Sequence, residues 1–196
     1  MQMLQERVSS GFAQVARRIG RMGRQYRVTD PLTPLGHAVG APYLCLDVDA
    51  GFRMRKPKGW GQVMTLGLSD ARDLAIGDYI ALDERFYFVA ELEPCRPALF
   101  VACNREISVM GMRGAERLLA DRCPASLWMT GKGEDRHSGM PGAMRSGSYM
   151  LHLPVMPGFC LKPYMQVMDE KGARYLVDTV ELSQNGTRAL LSMQQV

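Results

Sequence analysis

Short β-strand signals recur along most of this sequence, and they constrain its fold more than any other feature. Runs rich in β-branched and aromatic residues alternate with turn-forming pairs such as Gly77-Asp78 and Asp83-Glu84. Prolines fall outside the runs, as strand interiors require. The pattern predicts a mainly β protein. The predicted strands are 43–48, 63–68, 79–82, 86–92, 99–103, 107–110, 127–129, 149–153, 165–168, 175–182 and 189–193.

Two stretches, 74–93 and 159–181, resemble each other. Each passes from an apolar lead into a Tyr-containing strand, an acidic turn that opens with Asp-Glu, and a second strand with Tyr-x-Val. A third strand follows each hairpin, at 99–103 and 189–193. Because a three-stranded unit is only marginally stable alone, we expect each copy to recruit a neighbouring strand and curl into a small barrel or sandwich. The alternative is that two hairpins look alike by chance.

The N-terminal segment has a different periodicity, which predicts an amphipathic helix over 3–22. Its apolar residues recur every three or four positions, and Gly20 and Gly23 favour an end to the helix between them. A helix with a single apolar stripe must bury it against the rest of the chain or against a neighbouring chain. The stripe, which we predict to be the subunit contact, consists of Leu4, Val8, Phe12, Val15 and Ile19.

Positive charge is concentrated in the same segment. The first 27 residues hold six arginines against Glu6, and the remainder of the chain is close to neutral, so the net charge of +4 is located in this arm. Such an arm is typical of segments that meet phosphate, an anionic lipid surface or an acidic protein face. The arginines predicted to contact DNA or an acidic surface are Arg17, Arg18, Arg21, Arg24 and Arg27.

These patterns divide the chain into four segments. Residues 1–27 form a basic helix or arm, and 28–125 form a first β module with an extended lead-in. Residues 126–148 are rich in glycine and are predicted to be a mobile loop or linker. Residues 149–196 form the second β module. The predicted fold is therefore two similar small β-barrel or sandwich modules preceded by an amphipathic helix.

The sequence contains no pattern that indicates catalysis. His37, His137 and His152 are too dispersed for a metal site, and His152 alternates with leucines as an ordinary strand residue would. There is no P-loop, and Ser126 has no nucleophile-elbow context. We expect a protein that is not an enzyme and that has no catalytic residue, no cofactor and no metal.

The first hairpin resembles small β-barrel proteins at phage head–tail junctions, namely head-closure, stopper and connector proteins with related tail-completion and nozzle components. The likeness covers 63–110, and 149–196 more loosely. It is carried by a Gly-Asp-x-Ile…Tyr-x-Val pattern at Gly77, Asp78, Ile80, Tyr87 and Val89. The chain is also similar to phage-type proteins that open with Tyr-Arg-x-x-Asp-Pro, here Tyr26, Arg27, Asp30 and Pro31.

The resemblance implies a non-catalytic virion component that forms a homo-oligomeric ring around the DNA channel. Its partners would be copies of itself and other portal or tail structural proteins, with packaged DNA as a further candidate for the arginines. Its location would be the tail or the head–tail junction, after synthesis in the bacterial cytoplasm. The second module and the long basic helix depart from the simplest members, which have one barrel.

Two other functions fit parts of the pattern. One is a nucleic-acid-binding β-barrel module whose basic arm grips phosphate. Such barrels usually present aromatic residues on an exposed sheet face, whereas Phe86, Tyr87 and Phe88 are contiguous, so at least one must enter the core. The other is a helix that binds a membrane surface or acts like a chaperone. It ranks last, because Phe12 is the only aromatic residue of the stripe. With no spanning segment and no signal peptide, we expect a soluble protein without a membrane partner.

Overall fold

A computed structural model describes residues 2–46, 63–112, 117–131 and 147–194. Within these ranges the chain forms one helix and 14 strands, which confirms the prediction of a mainly β protein behind an N-terminal helix. No helix in the described ranges combines the length and the apolar character needed to cross a bilayer. The elements are α1 (Gln2–Ile19), β1 (Arg21–Met22), β2 (Arg24–Tyr26), β3 (Ala38–Gly40), β4 (Tyr43–Leu46), β5 (Met64–Ser69), β6 (Tyr79–Leu82), β7 (Arg85–Glu91), β8 (Ala98–Ala102), β9 (Arg105–Met112), β10 (Leu118–Gly131), β11 (Ser148–Leu153), β12 (Met165–Asp169), β13 (Arg174–Ser183) and β14 (Gly186–Met193).

The first module is an eight-stranded antiparallel sheet in the order β1-β4-β5-β8-β7-β6-β2-β3. The strands β1 and β2 are separated by a single residue, Gly23, yet β1 pairs with β4 and β2 pairs with β6 at the far side of the sheet. The sheet must therefore curl until its two sides meet at residues 21–26. Gly23 permits this close approach, since a Cβ there would lie 2.9 Å from the carbonyl oxygen of Ala81.

The second module is a closed antiparallel barrel in the order β10-β11-β14-β13-β12-β9. Strands β9 and β10 belong to this barrel. The predicted division is therefore wrong at this point, because it placed residues up to 125 in the first module and 126–148 in a linker. The 14-residue strand β10 pairs with β9 along its first part and with β11 along its second part, and these pairings close the barrel. The barrel thus extends from Arg105 to Met193, and residues 132–146 of the predicted loop lie outside the described residues.

The two similar stretches form three-stranded meanders, β6-β7-β8 and β12-β13-β14. The first turns at Asp83 and Glu84, which both have positive φ (46° and 63°), as a two-residue hairpin turn requires. The second has a longer turn in which Asp169 accepts hydrogen bonds from the main-chain amides of Lys171 and Ala173. The repeat is therefore placed in two settings, a curled sheet and a closed barrel.

Both faces of the first meander are buried. Ile80, Val89 and Phe100 point into the curl of the first sheet. The intervening Tyr79 and Phe88 belong to a core that is shared with the barrel. This arrangement explains why the aromatic run of β7 is continuous rather than alternating, because both of its faces are covered. The two modules consequently share one apolar cluster, and the curl of the first sheet holds a second.

The helix ends earlier than the predicted range of 3–22. It ends at Ile19, and the amide of Gly20 donates to the carbonyl of Ala16 at 2.8 Å. A side chain at Gly20 would press against the carbonyl oxygens of Ala16 and Leu44. At residue 20 the chain leaves the helix and lies directly against the main chain of β4, so a glycine is required there.

Candidate assembly interface

The helix α1 rests on the first sheet through its small side chains. Ala16 is fully buried, Ala13 is half-buried, and the helix contacts β4 and β5. Near its C-terminal end, the Nε of Arg17 donates to Oδ2 of Asp70 at 2.7 Å. Asp70 also accepts the main-chain amide of Tyr43 at 2.7 Å, so the ion pair joins the helix to the start of β4. The helix is therefore anchored by an alanine-lined face and one charged contact.

The apolar stripe of α1 lies beside this contact, and Phe12 at its edge lines the groove between the helix and the first module. At 100° per residue the stripe is centred about a quarter turn from Ala16. Leu4 and Ile19 are 62% and 65% exposed, Val15 is also exposed, and Val8 and Phe12 are half-buried. The described part of the chain therefore does not cover the predicted contact residues fully. We call the set Leu4, Val8, Phe12, Val15 and Ile19 the α1 apolar face.

A groove of about 600 Å³ separates the N-terminal half of α1 from the first module. Gln5 and Ser9 line it on the helix side, and Leu74, Leu92 and Cys95 are among the residues on the module side. The helix is consequently held at its C-terminal end, and its N-terminal half stands away from the sheet. Apolar residues there remain accessible to another chain.

Arg27 has a structural role. Its guanidinium donates to both carboxylate oxygens of Asp78 at 2.9 Å and to Asp73 at 2.9 Å. Asp78 is buried and also accepts hydrogen bonds from Gln25 at 2.6 Å and from the amide of Ala75 at 2.9 Å. These carboxylates raise the pKa of Arg27 above its ordinary value. The network fixes β2 against the loop before β6.

The other predicted arginines are also partly engaged. Arg17 pairs with Asp70, and Arg21 pairs with Asp83 in the first hairpin turn. Arg24 places its guanidinium carbon 5.4 Å from the centre of the Tyr26 ring. Arg18 is exposed on the helix. Much of the arm's positive charge is thus offset by acidic residues of the first module, which the sequence separates from it by about 50 positions.

A polar row on the outer wall of the barrel was not predicted from the sequence. The strand register places Ser126, His152, Arg188 and Glu181 opposite one another on four consecutive strands. His152 is buried, and neither of its ring nitrogens has a hydrogen-bond partner among the described groups. Burial, with the charge of Arg188, lowers its pKa to about 4, so the imidazole is neutral at pH 7. The alternation of His152 with Leu151 and Leu153 was the available signal, because it turns the imidazole away from the barrel interior.

His137, which lies in the predicted loop, falls outside the described residues. Among the residues that the structure does describe, no three His, Cys, Asp or Glu side chains are grouped as metal ligands.

Comparisons of the chain with known protein families, with curated proteins and with solved structures found no match.

Proposed function

We propose that this chain is a non-catalytic structural protein of a phage head-to-tail connector or tail ring, which assembles with copies of itself around the DNA channel. The observation that carries the proposal is the α1 apolar face, which is exposed on a helix that is anchored by a different face. The likeness of the hairpin at Gly77–Val89 to head–tail junction proteins supports the choice of class.

The energetics favour coverage of this face. Complete burial of a Leu, Ile or Val side chain stabilises by about 1.5–3 kcal/mol. Leu4, Val15 and Ile19 are each exposed, so a partner could gain several such contributions at the cost of ordering the free end of the helix. The face carries no charged side chain, which favours an apolar protein surface over a phosphate backbone as its partner.

A receiving surface for a second copy is present on β5. Met64 and Leu66 are each 43% exposed, and they lie on the opposite face of the strand from Gly67 and Ser69, which line the groove under α1. A helix face that packs on a different patch of the next copy makes a head-to-tail contact. Such contacts generate rings when the rotation closes.

The nucleic-acid-binding module is the alternative function, and the ion pairs weaken it. Arg17, Arg21 and Arg27 each contact a carboxylate of the first module, and phosphate would have to displace these partners. A protein partner for the apolar face requires no such exchange. A nucleic-acid function would appear as binding that weakens steeply with salt and depends on residues 1–27.

Native mass spectrometry of the full chain, with negative-stain electron microscopy, tests the assembly. We expect annular oligomers for the wild type. Leu4→Glu with Val15→Glu should give monomers, whereas Ser10→Glu with Gln14→Glu, at exposed positions on the other side of the helix, should leave the oligomer intact.

A complementation experiment tests the head-to-tail contact. Leu66→Glu alone should also give monomers. A mixture of this variant with the Leu4→Glu/Val15→Glu variant should give dimers, because each partner keeps one intact patch. A wild-type chain that is monomeric both alone and mixed with portal or tail proteins would overturn the proposal.

A further inference from the structure

The junction of the two modules encloses a cavity of about 220 Å³ that is partly open to solvent. The first sheet contributes an apolar wall that includes Phe88, Leu99 and Val101. The barrel contributes a polar wall that includes His152, Arg188 and, from the β13–β14 turn, Asn185. One side of the cavity therefore suits an apolar body, and the other suits hydrogen-bonding groups.

The polar wall has unused hydrogen-bonding capacity. His152 is only 5% exposed and lines the cavity, and both of its ring nitrogens lack partners among the described groups. Oδ1 of Asn185 is likewise buried and without a partner. A buried polar atom without a hydrogen bond is unfavourable, because it has lost its bonds to water, so native proteins keep few of them. Two such groups on one cavity wall indicate an occupant that bonds to them.

The charge of the wall restricts the class of occupant. Among the described residues, the charged side chains that line the cavity are Arg188 and Glu181, which pair at 3.5 Å between Nη1 and Oε2. Their charges offset each other, and His152 is neutral at pH 7. A charged ligand would enter without a free counter-charge, whereas an uncharged ligand would not meet this penalty.

The imidazole also has a second aromatic ring beside it. The ring of Trp128 lies nearly parallel to the imidazole, with centroids 6.5 Å apart and an interplanar angle of 23°. Its strand neighbours Ser126 and Arg188 flank it in the register. A neutral imidazole offers one N–H donor and one acceptor nitrogen, which can match a ligand that both donates and accepts.

We propose that this cavity binds a small uncharged molecule that has an apolar body and a carboxamide-like group able to donate and accept hydrogen bonds. The apolar body packs on Phe88, Leu99 and Val101. The polar group bonds to His152 and donates to Oδ1 of Asn185. An apolar cavity of about 150 Å³ holds benzene, so a cavity of this size can hold a ring with one amide group. The site does not require the assembly proposed above, although Met64 of the proposed receiving surface also lines this cavity.

Benzamide is the probe, and it is titrated into the full chain with isotope-labelled histidine while the ring signals are followed by NMR. We expect a saturable shift of the His152 signals, with the exposed His37 as an internal control. Benzoate, which has the same ring with a charged group, should bind at least about tenfold more weakly, a difference of about 1.4 kcal/mol.

Two variants locate the site. His152→Phe keeps an aromatic ring beside Trp128 but removes both nitrogens, and it should weaken benzamide binding about tenfold. Leu99→Trp should fill the cavity and abolish binding. If a variant fails to fold, contacts between benzamide and Phe88 in the wild type, measured by intermolecular NOEs, replace it.

Three outcomes would overturn the proposal. One is the absence of saturable binding, with only ordered water bonded to His152 in a high-resolution structure. Another is equal binding of benzamide by His152→Phe. The third is equal affinity for benzamide and benzoate, which would contradict the uncharged class of ligand.

Discussion

The phenol hydroxyl of Tyr79 donates a hydrogen bond to the main-chain carbonyl of Pro124 at 2.7 Å. Tyr79 lies on β6 of the first sheet and Pro124 on β10 of the barrel, so the bond crosses the junction between the modules. Tyr79 is completely buried, and its ring meets Phe88 edge-on at 6.4 Å. Burial raises the pKa of the Tyr79 hydroxyl well above its ordinary value, so the hydroxyl stays protonated and remains a donor.

Removal of this hydroxyl should destabilise the whole chain. Tyr79→Phe leaves the ring packing intact but deprives the buried carbonyl of Pro124 of its partner, which costs about 1–3 kcal/mol. Urea unfolding followed by fluorescence should show a lower midpoint with an unchanged slope. Tyr164→Phe is the matched control, because Tyr164 is 67% exposed, and it should change the free energy of unfolding by less than about 0.5 kcal/mol. Equal stability of the two variants would contradict a role of the bond at the junction.

The arginines of the arm should differ strongly in their contribution to stability. Arg27→Ala leaves the buried carboxylate of Asp78 without its cationic partner, which should cost about 2–3 kcal/mol, somewhat below a fully buried pair because Arg27 is partly exposed. Arg21→Ala breaks an exposed pair with Asp83 and should cost no more than about 1 kcal/mol. Chemical denaturation of both variants measures the difference. An Arg27→Ala protein as stable as Arg21→Ala would show that the network does not fix β2.

Local sequence was sufficient for the elements that depend on local signals. The spacing of Leu4, Val8 and Phe12 predicted the helix, and the Asp83-Glu84 turn predicted the first hairpin. Both depend on contacts within a few residues. The general prediction of two β modules behind a helix was confirmed for the same reason.

Features that depend on long-range register could not be predicted. Strand β10 belongs to the barrel because it pairs with both β9 and β11, and no local pattern reveals that closure. Arg27 and Asp78 are 51 positions apart, so a count of charges along the arm could not show that they neutralise each other. The polar row through His152 likewise exists only once four strands are in register.

Two glycines should respond in opposite directions to the same substitution. Gly77 has φ +90°, and a Cβ there would lie 2.7 Å from the carbonyl oxygen of Val155, so Gly77→Ala should destabilise by about 2 kcal/mol or more. Gly11 lies inside α1 with no atom within 4 Å of an added Cβ, so Gly11→Ala should stabilise by about 0.5–1 kcal/mol. Thermal unfolding of both variants measures the changes. A neutral Gly77→Ala would indicate that the close approach of the barrel to the loop before β6 is not maintained in solution.

The pH dependence of stability should report the burial of His152. Its pKa is lowered from 6.5 to about 4 in the folded chain, mainly by burial and then by the charge of Arg188, with Glu181 opposing the shift. From the described part of the first sheet, no charged side chain lines the same cavity. Below pH 6.5 the unfolded chain binds a proton that the folded chain does not, so stability decreases as the pH falls, and the loss levels off below about pH 4.

Because carboxyl groups also titrate in this range, the informative quantity is the difference between the wild type and His152→Phe. Urea unfolding at several pH values between 8 and 3.5 should show the wild type losing on the order of 3 kcal/mol more than the variant. His37→Phe, at an exposed position, should follow the wild-type curve. Parallel curves for the wild type and His152→Phe would mean that the imidazole titrates normally in the folded chain, and hence that the junction between the modules is open to water at that position.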